Sequence, residues 1–202
     1  MTTAKILIPM SDYGHDPTET AVPYTAFTEA GFEVSFATEN GKSPECDTKM
    51  LTGITQKLLL IDSSTIHKLL ASYFLATVKL SKKSVAAVCH GVMVLSETKH
   101  EGKSVIHECV TTALPARFEQ SAFWVTRIFL GDYYKNYGAG SDDVETSVRK
   151  CLDNPKMQYK NSLGMNPFVV EDEKYNYISA RFPPDAQLLA EKTIALVRNS
   201  LA

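Results

Sequence analysis

Residues 84–95 of this chain read SVAAVCHGVMVL. The first half is a compact apolar run with β-branched valines, which is typical of a strand buried on both faces of a parallel sheet. The run from Val92 to Leu95 stays apolar and predicts the start of a packed helix. Between them lies Cys89, with the small residues Ala87 two positions before it and Gly91 two positions after it. This spacing is typical of a nucleophile elbow, whose sharp turn demands small side chains on either side of the nucleophile.

The elbow predicts a reactive thiol at Cys89. The turn lifts the side chain clear of the sheet and places it at a helix N-terminus, where the dipole and free backbone N–H groups favour thiolate over thiol. The sequence therefore predicts a lowered pKa for Cys89. The alternative is a buried structural cysteine followed by an incidental histidine, His90. The strand, the small residues and the adjacent imidazole together favour the functional interpretation.

Composition limits the class of protein. The chain has 202 residues, which predicts a single domain over residues 1–202, and 44% of them are hydrophobic. The net charge of -2 with no basic run argues against nucleic acid or an anionic membrane as partner. No apolar stretch has the length of a transmembrane helix, and the N-terminus does not resemble a signal peptide. The four cysteines lack CxxC or metal spacing, so we expect a cytoplasmic protein with reduced thiols and no metal.

The N-terminal region predicts a βαβ unit and hence a parallel sheet. Its elements are a strand at residues 5–10, a helix at 18–30 and a second strand at 32–37. Asp16 is the expected N-cap and Pro17 the first helical residue. Gly31 is placed to end the helix.

The rest of the chain has weaker patterns. It predicts, in order, a short strand or helix end at 58–61, a helix at 62–80, an alternating region at 104–112, a helix at 115–127, a Tyr- and Gly-rich loop at 128–141, a helix at 142–152, an antiparallel pair at 168–170 and 175–179, and a final helix at 183–200. The loop at 128–141 could wall a pocket or lie on the surface.

A cysteine nucleophile needs a group that accepts or holds protons. His90 is next in sequence, although adjacency alone does not establish a Cys–His pair. Glu19 lies in the first turn of the first helix, and loops after parallel strands share one edge, so we expect it on the same rim as Cys89. An acid there is also favoured by the helix dipole whatever its function, and from the residues alone this structural role is preferred. His15, in the same rim loop, is a loop residue first and a pocket residue second.

Several segments resemble the DJ/ThiJ/PfpI superfamily, which is class I glutamine amidotransferase-like. The elbow at 86–91 and the segment 16–23, in which Glu19 precedes an aliphatic–Pro pair, carry the specific part of the resemblance. The segments 31–34 and 178–184 are similar to its second strand and its C-terminal part. The stretch 111–137 looks most like the larger branch, which contains chaperones and glyoxalase III.

The resemblance implies a flavodoxin-like three-layer α/β sandwich with a mainly parallel central sheet, commonly homodimeric and without a cofactor. It implies Cys89 as nucleophile, Glu19 hydrogen-bonded to it and His90 as the neighbouring base. With the rim position of His15 and the elbow position of Gly91, these two become the expected residues of the substrate pocket.

The expected function is that of a cofactor-independent lyase or hydrolase, glyoxalase III-like, which converts methylglyoxal to lactate without glutathione. The Cys89 thiolate adds to the aldehyde, His90 or Glu19 moves a proton through an enediol, and water releases lactate from the thioester. The alternatives are a stress-response chaperone, a cysteine redox sensor in which Cys89 oxidises preferentially, or a catalytically degenerate member. Amidase or peptidase activity is less favoured.

The chain departs from the family in one respect. Members have a central strand before the elbow unit that ends in a Gly-Gly turn, whose N–H donates to the oxyanion. This chain contains no Gly-Gly, and residues 56–60 run directly into 61–70, which resemble the family segment located after that turn. Three explanations remain open: residues 58–61 act as a substitute strand, the sequence omits a segment, or the protein is a shortened and inactive variant.

Overall fold

The computed structural model of the chain describes residues 3–46, 83–132 and 142–201. Three of the predicted segments lie outside the described residues. They are the strand or helix end at 58–61, which is also the proposed substitute strand, the helix at 62–80, and most of the Tyr-rich loop. The described elements are, in chain order, β1 Lys5–Pro9, β2 Tyr13–His15, α1 Pro17–Glu29, β3 Glu33–Ala37, β4 Glu45–Cys46, β5 Val85–Val88, α2 His90–Glu97, β6 Lys99–His100, β7 Lys103–Ser104, α3 Ala116–Leu130, α4 Val144–Cys151, α5 Pro155–Gln158, β8 Val169–Asp172, β9 Tyr177–Ala180 and α6 Ala186–Leu201, with a 3-10 turn at Pro183–Asp185 before α6.

The predicted βαβ unit is confirmed. β1 and β3 pair in parallel along their whole length, and α1 connects them. Asp16 caps α1, since its Oδ1 accepts the N–H groups of Thr18 at 2.7 Å and Glu19 at 3.1 Å. Gly31, with φ at +83°, follows the last turn of the helix in the left-handed conformation that glycine adopts without strain. These local signals are strong enough to define the unit from sequence.

The elbow strand belongs to a second group of strands. β5 pairs in parallel with β9, and β9 pairs antiparallel with β8. The predicted antiparallel pair is therefore confirmed, with both strands ending one or two residues later than expected. The turn between them is set by Asp172, whose Oδ1 accepts the N–H groups of Lys174 at 2.8 Å and Tyr175 at 2.7 Å.

Successive side chains of β9 point to opposite faces of the sheet, as in any β-strand, and so they pack into two different cores. Tyr177 packs in a core with residues of α2 and α4, whereas Ile178 and Ala180 pack with Leu189 of α6. α1 packs against α6 on that second side. Helices thus cover both faces of the elbow sheet, and the α/β class with a layered, flavodoxin-like arrangement is confirmed.

Three of the differences from the sequence-based expectations concern the region 104–112, helix α3 and a short strand pair. The alternating region 104–112, to which the sequence assigned no element, contains the end of the β6–β7 hairpin and a series of turns, with Thr111 bridged to Tyr159. The helix expected at 115–127 runs from 116 to 130, with Pro115 as its N-cap. The short parallel pair β2–β4 had no signal in the sequence, because strands of two or three residues show no periodicity.

Within the described part of the chain, β1–β3 and β5–β9–β8 are separate sheets. β1 and β5 line the two sides of a cavity, which α1 and α6 also border. The candidate site is built at the ends of these two strands.

Candidate active site

Cys89 occupies a strained turn between β5 and α2. Its φ of 55° and ψ of −121° are unusual, and among described residues other than glycine only Glu101 shares a positive φ. Such a conformation costs about 1–3 kcal/mol and persists only where the surroundings hold it. Here the Cys89 N–H donates to the carbonyl of Ala180 and its carbonyl accepts the N–H of Val92, each at 3.2 Å. The nucleophile elbow predicted from spacing is present.

The structure brings His90 into contact with the thiol. The Nδ1 of His90 lies 3.5 Å from the Sγ of Cys89, and both residues are buried. Burial lowers the pKa of His90 to about 4, so its imidazole is neutral at physiological pH. In the tautomer with hydrogen on Nε2, Nδ1 is able to accept the thiol proton. The adjacency of Cys89 and His90 in sequence did not establish that they interact, whereas the structure shows the contact.

Glu19 approaches the thiol of Cys89 from the first turn of α1. Burial raises the pKa of Glu19 well above its usual range, and the nearby charge of Asp16 raises it further. The protonated carboxylic acid is therefore the favoured form. Glu19 and Cys89 do share one rim, as the parallel topology required.

The predicted lowering of the Cys89 pKa is wrong. Burial raises the pKa of the thiol well above its usual range, and Glu19 raises it further whenever its carboxyl is ionised. The backbone N–H of His90 at the start of α2 acts in the predicted direction and lowers the pKa, but less than burial raises it. The sequence shows the helix N-terminus, whereas the complete loss of solvent around the sulfur depends on packing from distant elements.

A third titratable group near the thiol was missed. Glu119, in the first turn of α3, is mostly buried, and burial raises its pKa to about 7. Its Oε2 accepts the N–H of Val144 at 2.9 Å, while Glu145 accepts the N–H of Ala116 at 3.1 Å, so α3 and α4 cap each other. The charge of Glu119 also raises the pKa of Cys89. The only sequence signal was an acid in a helix first turn, which has a structural explanation by default.

The cavity beside the elbow has a volume of about 270 Å³. Glu19, His15 and Gly91 line it, whereas Cys89 and His90 do not. His15 and Gly91 thus lie on a pocket wall. A Cβ added at Gly91 would meet no atom of the described residues within 4 Å beyond the backbone of its own helix, so packing against other described elements does not require glycine there. The cavity provides that open space.

Within residues 3–46, 83–132 and 142–201, one cluster has metal-ligand chemistry. His107, Glu108 and Asp153 offer ligand atoms within 4.8 Å of one another. Asp153 is already bound by His107 at 2.8 Å and Lys103 at 3.3 Å, and Glu108 is bound by Lys174 at 3.2 Å. These lysines balance the carboxylate charges without a metal ion. The four cysteines are all free thiols. None of the described helices is both long and apolar enough to cross a membrane.

A layered α/β structure in which a parallel strand turns through a strained cysteine into a helix, with an imidazole and a carboxyl near the sulfur, defines an elbow-type cysteine protein. Sequence comparison agrees at the level of family. The profile of the family described as ThiJ/PfpI family-like matches residues 10–62 and 58–175, which is most of the chain. The protein belongs to this family. A search of curated protein sequences finds no significant match.

Three of the solved structures that share this fold illustrate the likeness. Glyoxalase III from Candida albicans has a TM-score of 0.63 and 14% identity, covering 96% of this chain and 97% of that one. The Rapid Encystment Protein of Francisella tularensis has a TM-score of 0.63 and 14% identity, covering 99% and 100%. DJ-1beta from Drosophila melanogaster has a TM-score of 0.55 and 14% identity, covering 98% and 96%. At these identities the likeness establishes the fold.

Proposed function

We propose that this protein is a cofactor-independent, cysteine-dependent enzyme acting on small reactive aldehydes, with methylglyoxal converted to lactate without glutathione. The contact between Cys89 Sγ and His90 Nδ1 in a strained elbow is the observation that carries the proposal. The fold shared with a glyoxalase III adds support at the level of family. The test is lactate production from methylglyoxal by the purified chain in the absence of glutathione.

The resting site avoids buried charge. The thiol and the carboxylic acid of Glu19 are held protonated by burial, and His90 is neutral. When Sγ attacks the aldehyde carbon, the thiol proton passes to His90 Nδ1, and the carbonyl oxygen becomes an alkoxide that takes the proton of Glu19. Charge therefore develops during the attack rather than in the resting site, and the N-terminus of α2 supplies backbone N–H groups beside the sulfur.

The hemithioacetal then isomerises. The ionised Glu19 removes the proton from the former aldehyde carbon, which leaves an enediolate, and the hydroxyl proton of this enediolate moves to the neighbouring oxygen. Protonation of the neighbouring carbon by the imidazolium of His90 gives the thioester of lactate. No external oxidant or reductant enters, because one carbon is oxidised while its neighbour is reduced. Water cleaves the C–S bond and the leaving sulfur recovers its proton.

Replacing Glu119 tests the electrostatics of this site. A neutral Glu119→Gln side chain removes a negative charge that raises the pKa of Cys89, so we expect that pKa to fall by up to about one unit. The rate of Cys89 alkylation measured against pH reports the shift. The exposed Glu173→Gln, in the turn between β8 and β9, is the matched control and is expected to leave the profile unchanged. An upward shift in Glu119→Gln would contradict the arrangement.

A redox-sensor role has less physical support. A sensor cysteine is an accessible thiolate, whereas Cys89 is fully buried with a raised pKa. With limiting hydrogen peroxide we expect Cys46, which is partly exposed, to be oxidised before Cys89. Mass spectrometry of the peptides measures the order. Preferential sulfinic acid at Cys89 would instead favour the sensor function.

We further propose that the protein is a cytoplasmic homodimer. Helix α3 exposes Trp124, Val125, Ile128 and Phe129, with exposed fractions of 65, 75, 86 and 86%. This face measures on the order of 500 Å², near the upper limit for monomers and most of what each subunit of a stable dimer buries. We expect light scattering to give twice the monomer mass, and Ile128→Lys to halve it. A monomer in the unmodified chain would contradict this proposal.

A further inference from the structure

The buried ion pair of Arg181 and Asp185 lies directly beside the elbow. Arg181 follows the last residue of β9, and Asp185 ends the 3-10 turn before α6. Both side chains are completely buried and pair at 2.8 Å. Burying two charges is costly unless their donors and acceptors are satisfied, so the hydrogen bonds of the pair show which groups it holds in place.

All five N–H donors of the Arg181 guanidinium are used. Nε and one N–H of Nη2 donate to the two carboxylate oxygens of Asp185, at 2.9 and 2.8 Å. The other three N–H groups donate to backbone carbonyls of the segment before β8, which belong to Ser162, Gly164 and Asn166. Arg181 therefore holds the carboxylate of Asp185 in one orientation relative to the surrounding backbone.

Asp185 in turn fixes one peptide group at the end of β9. Its Oδ2 accepts the N–H of Arg181 at 2.9 Å. The carbonyl of the same peptide group is that of Ala180, and it accepts the N–H of Cys89 at 3.2 Å. Because a peptide group is planar and rigid, its N–H and its C=O move together. The carboxylate of Asp185 and the backbone of the nucleophile are thus bound to the two ends of a single rigid unit.

The elbow depends on this hydrogen bond. Cys89 has a φ of 55° and a ψ of −121°, a conformation that persists only where the surroundings hold it. The carbonyl of Cys89 accepts the N–H of Val92, which belongs to the helix that the elbow itself begins. The bond from the Cys89 N–H to Ala180 reaches a different element, β9, and so it fixes the elbow relative to the sheet. A displaced Ala180 carbonyl would therefore change the direction of the Cys89 side chain.

Asp185 also acts on the carboxyl group of the site. Glu19 lies in the first turn of α1, and α1 packs against α6, which begins directly after Asp185. Burial raises the pKa of Glu19 most, and the charges of Asp16 and Asp185 raise it further. The same carboxylate that fixes the elbow peptide therefore favours the protonated Glu19, which gives its proton to the alkoxide in the proposed mechanism.

We propose that Arg181 and Asp185 form a positioning pair for the chemistry of Cys89: they fix the peptide group to which the nucleophile's backbone is bound, and they hold a carboxylate where it acts on Glu19. The inference rests on the proposed function, whose site it extends. Arg181 acts through Asp185, and Asp185 acts through the Ala180 peptide and through Glu19.

Asp185→Asn tests the role at the elbow. Asparagine has nearly the same shape as aspartate, but it has no charge and only one oxygen to replace the two that Asp185 uses. We expect kcat for methylglyoxal to fall by about 100-fold, the effect of a slightly misplaced nucleophile, with KM within about twofold. We also expect the Cys89 N–H to exchange with solvent at least about tenfold faster by NMR, a readout that needs no turnover.

The pH dependence of Cys89 alkylation tests the role at Glu19. The logarithm of the rate rises with pH as the thiolate forms, and this rise flattens where Glu19 ionises, because its carboxylate then opposes loss of the thiol proton. Without the charge of Asp185, Glu19 loses its proton more readily, so we expect the flattening at a pH lower by about one unit. Asp16 and Glu119, the other carboxyls that act on the thiol, are unchanged in this variant.

Asp172→Asn is the matched control. Asp172 is also a buried aspartate, 8% exposed, and its oxygens accept the backbone N–H groups of Val110, Lys174 and Tyr175. It is not among the charges that act on Glu19. We expect Asp172→Asn to unfold at a lower urea concentration, as Asp185→Asn does, but to keep kcat, the Cys89 exchange rate and the alkylation profile.

Each role has an outcome that overturns it. Unchanged kcat and Cys89 exchange in Asp185→Asn, or equal changes in Asp172→Asn, would overturn the role at the elbow, and an unshifted alkylation profile would overturn the role at Glu19. If the unmodified chain does not convert methylglyoxal, the proposed function fails, while exchange and alkylation still decide on the pair.

Arg181→Lys serves if Asp185→Asn does not fold. Lysine keeps the positive charge but lacks the planar fork that holds the carboxylate. We expect faster exchange of the Cys89 N–H and a kcat at least about tenfold lower, with the flattening at its original pH because the charge of Asp185 remains. Exchange and kcat equal to those of the unmodified chain would overturn the proposal.

Discussion

Replacing Cys89 by alanine is expected to lower kcat/KM for methylglyoxal by at least about 1,000-fold, because the covalent route through the thioester is lost. The activity that remains in Cys89→Ala is what the site provides by stabilising charge electrostatically without a nucleophile. The measurement is the rate of lactate formation, together with the identity of the lactate enantiomer.

Two variants make that result specific. Cys46→Ala removes a partly exposed thiol on β4 and is expected to retain full activity. Cys89→Ser keeps the shape of the elbow but replaces the thiol by a much weaker acid, and we expect activity as low as that of the alanine variant. Undiminished lactate production by Cys89→Ala would exclude Cys89 as the nucleophile, and the absence of turnover in the unmodified chain would favour a catalytically inactive family member.

Arg181→Met is expected to destabilise the protein by about 3–5 kcal/mol, the cost of leaving one member of a buried ion pair alone. Arg181 and Asp185 are both completely buried and pair at 2.8 Å. The guanidinium also donates to the carbonyls of Ser162, Gly164 and Asn166, so one side chain closes the loop before β8. With methionine, Asp185 keeps its charge without the cation. Urea unfolding followed by fluorescence measures the loss.

Lys192→Met is the control for that experiment. Lys192 pairs with Glu171 at the same 2.8 Å, but both side chains are about half exposed. Exposed pairs contribute about 0–1 kcal/mol, so the midpoint should move little. Equal losses in the two variants would show that burial of Arg181 is not what makes its pair important. Because Arg181 is next to Ala180, which binds the Cys89 N–H, we also expect its loss to loosen the elbow.

Much of the fold is encoded by local signals in the sequence. The N-cap at Asp16, the glycine at position 31 and the apolar runs of β1 and β5 each act within a few residues, so their elements were predicted nearly to the residue. The elbow was predictable for the same reason, since its geometry requires only a buried strand, a small residue and a helix start. Short strands such as β2 and β4 depend on partners distant in sequence and left no pattern.

The chemistry of the site divides in the same way. The residue types were readable: Cys89 as the candidate nucleophile, His90 beside it and Glu19 on the same rim. The protonation states of these side chains could not be predicted from the sequence, because a pKa depends on how much solvent the whole fold removes from the group. The dipole visible in the sequence predicted a thiolate, and burial visible only in three dimensions makes it a thiol. Glu119 comes near Cys89, and the acids Asp16 and Glu19 border an apolar cavity, only because the packing of distant helices brings them there.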